Sequence, residues 1–145
     1  MVPDFDKLVR KLQKRIIKKE IKEHNKKIVN LFYNPINWGK PPKEEITVYE
    51  EKNNGIMGYF FGLYLKIENE IIIKANFITD GCGVMVAAGS ELTMLIYGKS
   101  IDYIENLNKI DLIRALNGVP PHEIQNIELV IEVFKNVIKK YKDLK

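Results

Sequence analysis

One cysteine and two histidines are the side chains of this sequence best suited to metal or sulfur chemistry. Cys82 is the most informative. It stands between Gly81 and Gly83, where a strand-like run, Ile71–Thr79, gives way to a helical pattern beginning at Val84. A thiol at a strand-to-helix junction meets backbone N–H groups and the positive end of the helix dipole, which favour the thiolate. Such a group can accept sulfur as a persulfide or bind a soft metal. It can equally be a small apolar filler in a tight turn, with the glycines answering backbone needs. A lone cysteine makes no disulfide within the chain and no cysteine-based zinc or cluster site unaided.

Around it stand weaker candidates. Asp80 reads first as a turn former and second as an oxygen ligand. His122 follows Pro120-Pro121 and is a possible substitute ligand, although a histidine there more commonly sits on the surface. His24 falls in a charged helix and reads as exposed. No acid–base pair and no nucleophile–base spacing stands out, so the chain is not expected to be an enzyme.

The elements that must position these residues follow from periodicity. Phe5, Leu8, Leu12, Ile16, Ile21, Ile28 and Leu31 recur at helical spacing, with Lys and Arg on the other face. Residues 1–32 therefore read as a long basic amphipathic lead-in, broken near His24-Asn25 and stopped by Asn34-Pro35. Residues 44–80 read as an antiparallel meander. Its strands are Ile46–Tyr49, Gly58–Ile67 and Ile71–Thr79, separated by Asn53-Asn54-Gly55 and Glu68-Asn69-Glu70. Residues 83–143 read as helical. Val84–Tyr97 ends at Gly98, Ser100 caps a short helix, and Ile110–Leu116 ends at Asn117-Gly118. A last helix runs from Ile124 to Tyr141. Residues 1–145 are thus expected to form one α+β domain, a three-stranded antiparallel sheet packed against several helices.

Composition narrows the functional classes. No apolar run approaches the roughly 18 residues of a membrane span. The opening residues lack a signal-peptide pattern, so a cytoplasmic protein is expected. Residues 1–43 carry a net charge of +8 and residues 44–145 carry −4. The basic segment suits an acidic partner or nucleic acid, but a solvated helix face explains it more simply, and nucleic acid is not expected.

Several short motifs occur in one order. Asn34-Pro35-Ile36-Asn37-Trp38-Gly39 is followed by Gly81-Cys82-Gly83, Ala87-Ala88-Gly89-Ser90, Gly98-Lys99-Ser100 and Val119-Pro120-Pro121. Together they resemble the IscU/NifU N-terminal-domain family of iron–sulfur cluster assembly scaffolds, over residues 25–145. The resemblance implies a cluster built on three cysteine thiolates plus a nearby Asp or His, and docking to a cysteine desulfurase. Soft iron and sulfide need charged thiolates, and a complete cluster takes four protein ligands.

Against that pattern this sequence is degenerate. The family's Cys-Gly-Asp corresponds to Met57-Gly58-Tyr59, its Gly-Cys-Gly keeps Cys82, and its His-Cys corresponds to Gln125-Asn126. A thioether and an amide are poor substitutes for thiolates. The chaperone-recognition stretch Leu-Pro-Pro-Val-Lys reads Val119-Pro120-Pro121-His122-Glu123, with Glu where Lys would stand. Cluster assembly by one chain alone is therefore not expected. Two functions remain. In the first, Cys82 accepts sulfur or carries iron or a cluster through ligands shared with another chain. SufE-like sulfur acceptors, with one cysteine on a related fold, supply an analogy. In the second, the fold is a docking module without metal, using the basic lead-in and the apolar residues Met57, Phe60 and Phe61. Tyr33 and Trp38 read as pins for the first helix or as partner surface.

Overall fold

The structure is a computed structural model and describes residues 7–12, 15, 25–53 and 58–144. Residues 7–12 and 15 are helical, while most of the basic lead-in, His24 included, lies outside the described residues. Asn25 starts a new helix, α1 (Lys26–Tyr33), where the sequence predicts a break. Its side chain accepts the Ile28 N–H at 2.9 Å, and its amide donates to the carbonyls of Leu116 and Gly118 at 2.8 and 2.7 Å. One asparagine therefore caps α1 and ties it to a distant turn.

After α1 the Asn34–Gly39 motif acts as a strap. The Phe77 N–H donates to the Asn37 carbonyl at 3.1 Å, and the Gly39 N–H donates to the Phe77 carbonyl at 2.9 Å. Asn37 and Gly39 both adopt positive φ, which asparagine and glycine tolerate best. The Asn37 amide also reaches Thr93 Oγ1 at 3.1 Å, and the Ile36 N–H donates to Ser90 at 3.0 Å. The motif covers a sheet edge and fastens it to a helix.

The sheet has the order β1 (Val48–Asn53), β2 (Phe60–Glu68), β3 (Ile71–Thr79), antiparallel throughout. Asn69 and Glu70 both have positive φ, the conformation of a tight two-residue hairpin turn. The first strand differs from expectation. It runs to Asn53, which pairs with Phe60, because Glu50–Lys52 continue the ladder with β2 despite their charge. As an edge strand, β1 can carry charged side chains.

The inner face, with Phe61, Leu63, Leu65, Ile72 and Phe77, packs on α2 (Gly83–Ile96) and α5 (Ile124–Asp143). α2 is buried nearly all round, as a central helix must be. Its small residues permit the close approach, since a Cβ on Gly89 would lie 2.3 Å from the Phe77 ring. Between these helices, α3 (Ile101–Ile104) is capped by Ser100 and α4 (Lys109–Ala115) by an Asn108/Asp111 capping box. α4 ends at Asn117-Gly118, where the Gly118 N–H donates to Ile113 and the Asn117 N–H to Arg114. That is a Schellman closure. Among the described residues no helix is long and apolar enough to cross a membrane.

Candidate functional site around Cys82

Cys82 is the N-cap residue of α2, with extended backbone at φ −71° and ψ 177°. The strand end that delivers it is tied down by three hydrogen bonds. The Thr79 hydroxyl donates to the Phe60 carbonyl at 2.5 Å and accepts the Gly81 N–H at 3.0 Å. The Asp80 carboxylate accepts the Phe60 N–H at 2.6 Å. The flanking glycines serve close packing. A Cβ on Gly81 would meet the Met85 sulfur at 2.5 Å, and one on Gly83 would meet the Phe32 ring at 3.1 Å.

The thiol makes no capping bond to its own helix. It turns to the start of α5, where the short 3-10 turn Pro121–Glu123 meets the first helical turn. Cys82 Sγ donates to Glu123 Oε2 at 3.3 Å. The Asn126 amide donates to the same carboxylate oxygen at 2.5 Å and reaches the sulfur at 3.6 Å. Glu123 and Asn126 are three residues apart at the beginning of a helix, so both side chains lie on one side. The result is a half-buried thiol held by one carboxylate and one amide.

Burial pushes the Cys82 thiol above its ordinary range, and the Glu123 hydrogen bond and negative charge push it further the same way. The N–H groups of Met85 and Val84 pull in the opposite direction. The expectation that the helix end would favour the thiolate is corrected here. The N–H groups at the helix start do act in the expected direction, but desolvation and the neighbouring Glu123 outweigh them.

The NifU-like N terminal domain family matches residues 23–145. The chain belongs to this family. It is 34% identical over 121 residues to the iron–sulfur cluster assembly scaffold protein IscU of Aquifex aeolicus, covering 82% of this chain and 76% of that one. It is 29% identical over 148 residues to the iron–sulfur cluster assembly enzyme IscU of Drosophila melanogaster, covering 98% and 93%. Among solved structures, the N-terminal NifU-like protein of Brucella abortus superposes with a TM-score of 0.65 at 13% identity, over 85% of this chain and 96% of that one. The fold expected from the resemblance is the fold observed.

In this NifU-like domain the sequence candidates separate. Asn126 comes to Cys82, whereas Gln125, its neighbour, is exposed on the first turn of α5. Tyr59 is 37% exposed, and the hydrogen bonds of the thiol go to Glu123 and Asn126, not to its hydroxyl. The Asp80 carboxylate is engaged by the Phe60 N–H of the neighbouring strand. The His122 side chain is 75% exposed and does not reach the sulfur; its Nε2 stands 3.6 Å from Glu123 Oε1. Met57 lies outside the described residues. Among the described residues no three His, Cys, Asp or Glu side chains gather to hold a metal ion.

The partner that sequence reasoning overlooked is Glu123, noted there for its charge and not for any contact with sulfur. The available signal was its spacing, three residues before Asn126, but the contact joins residues 41 apart in the chain.

Proposed function

We propose that this NifU-like domain serves iron–sulfur cluster assembly by accepting sulfane sulfur on Cys82, and does not hold a cluster by itself. The observation that carries this reading is the composition of the site. One thiol stands within reach of a carboxylate and an amide, a donor set too hard and too neutral for iron and sulfide. A cluster is then cargo that this chain does not retain alone. One sulfur nucleophile is nevertheless sufficient for sulfur transfer.

The step balances without an added oxidant. The Cys82 thiol loses its proton, and its sulfur attacks the outer sulfur of a persulfide donor, R–S–SH. A new S–S bond forms on Cys82. The donor's S–S bond breaks, its inner sulfur keeps the electron pair, and it leaves as a thiolate that takes up a proton. The products are Cys82–S–SH and R–SH. A cysteine desulfurase carrying a persulfide is the donor class that fits an assembly pathway.

Exchange with a desulfurase and free cysteine, followed by intact-mass measurement, tests the proposal. The natural chain should gain one sulfur atom that dithiothreitol removes, and Cys82→Ser should gain none. Equal uptake by both chains would overturn it.

One feature supports the docking reading as well. Phe32, Tyr33 and Trp38 remain exposed at 38%, 45% and 49%, and the Phe32 ring lies against Gly83, next to the thiol. An apolar surface adjoining Cys82 suits a protein donor. If docking is the whole function, Cys82→Ser will bind the partner as before and sulfur transfer will be absent from the natural chain too.

A further inference from the structure

We propose that the helical lead-in lays Leu8, Val9 and Leu12 into the surface of an anionic lipid bilayer, with Lys7, Arg10, Lys11 and Arg15 at the lipid phosphates. The site is confined to the described residues 7–12 and 15, ahead of residues 23–145 that the family matches. It therefore stands apart from the reading of Cys82.

Residues 7–12 are helical, and so is Arg15. Each residue of a helix advances about 100° around the axis. Leu8, Val9 and Leu12 then share a sector about 100° wide, and Lys7, Arg10 and Lys11 share one of about the same width on the other side. The apolar sector is not packed away. Leu8 is 54% exposed, Leu12 46% and Val9 36%. The four cations are exposed as well, and none of these seven residues is acidic. A solvated face accounts for the cations, but it leaves three large apolar side chains together in water.

Charge and layering together select the occupant. An anionic bilayer sets negative phosphates above hydrocarbon, so a helix lying in its surface buries an apolar face and keeps a basic face among the headgroups. Lysine and arginine stems are long enough to reach up to the phosphates. Each cation within a Debye length of such a surface adds to the attraction. The remainder of the chain does not compete for it. Residues 44–145 carry −4 against +8 for residues 1–43, so attraction is directed to this end of the molecule. A protein groove or a second copy fits less well, because either needs an apolar seam that continues at i, i+4 and i+7. Seven residues after Leu8 stands Arg15, and seven after Leu12 stands Lys19. A lipid surface imposes no such register. Nucleic acid would engage the cations and leave the leucines without a role.

Co-sedimentation of the full chain with lipid vesicles tests the proposal. Vesicles of phosphatidylcholine alone are compared with phosphatidylcholine containing about one-third phosphatidylglycerol. The variants are Leu8→Gln with Leu12→Gln, and Lys7→Gln with Arg10→Gln and Lys11→Gln, with thermal unfolding confirming that the domain of each is intact. The natural chain should partition onto the anionic vesicles about tenfold or more above the neutral ones, and added salt should weaken that binding. Each variant should lose about tenfold of it. Failure to bind the anionic vesicles, or equal binding to both kinds, would overturn the proposal. So would a leucine variant that binds as the natural chain does. Attraction of the cations alone, as toward nucleic acid or an acidic protein, needs no leucine. Cys82 takes no part in this measurement, so its result is independent of sulfur uptake.

Discussion

A variant carrying Asn126→Cys, Met57→Cys and Tyr59→Asp is expected to bind iron and sulfide anaerobically, with iron rising from background to the stoichiometry of a cluster. The Asn126 amide already stands 3.6 Å from the Cys82 sulfur. A tetrahedral metal with metal–sulfur bonds of about 2.3 Å holds two of its sulfurs about 3.8 Å apart. The Asn126 side chain thus points at the Cys82 sulfur, so a shorter thiol on the same backbone position is directed towards a metal that the two sulfurs could share. The Met57 and Tyr59 changes follow the family resemblance, which assigns those positions a cysteine and an aspartate. Asn126→Cys alone should raise metal uptake only in part, since two thiolates fall short of a cluster's four ligands. If the triple variant stays as colourless and iron-free as the natural chain, the ligand positions have been misassigned.

Phe77→Ala should produce the largest loss of stability, about 3–5 kcal/mol by urea denaturation, the range for truncating a buried phenylalanine. The ring is fully buried, stacked on Phe61 at 5.9 Å between centroids and edge-on to Trp38 at 5.3 Å. It fills the space opposite Gly89, which has no side chain to move into a cavity. The backbone of the same residue holds the Asn37–Gly39 strap, so a shift there would loosen the tie between the sheet edge and α2. A cost below about 1 kcal/mol would mean that the core collapses readily around the gap, contrary to the packing described.

The fold was legible because local signals and long-range needs coincide. Ser100 was readable as a cap because its side chain bonds within its own turn, whereas the caps made by Asn25, read only as a break, and Asn108 emerged with the structure. Asn117-Gly118 and the Asn69–Glu70 turn are similarly local. The extent of β1 was less legible, since pairing with β2, and not the propensity of Glu50–Lys52, carries the strand to Asn53.

The site was legible in part. Cys82 stood out by its glycines and its helix, yet the partners of its thiol come from another helix. His122 and Glu123 are adjacent on one 3-10 turn and point to different places, which no periodicity reveals. The protonation preference was misjudged for the same reason. A helix N-terminus can be read from sequence, but the desolvation and the anion that oppose it arise only when α5 closes over α2.

Anaerobic incubation of the natural chain with iron and sulfide, then desalting, iron analysis and a visible spectrum, with Cys82→Ser alongside, shows whether one chain can hold a cluster. Both proteins should remain colourless and iron-free. Stoichiometric iron with charge-transfer bands that disappear in Cys82→Ser would contradict that expectation.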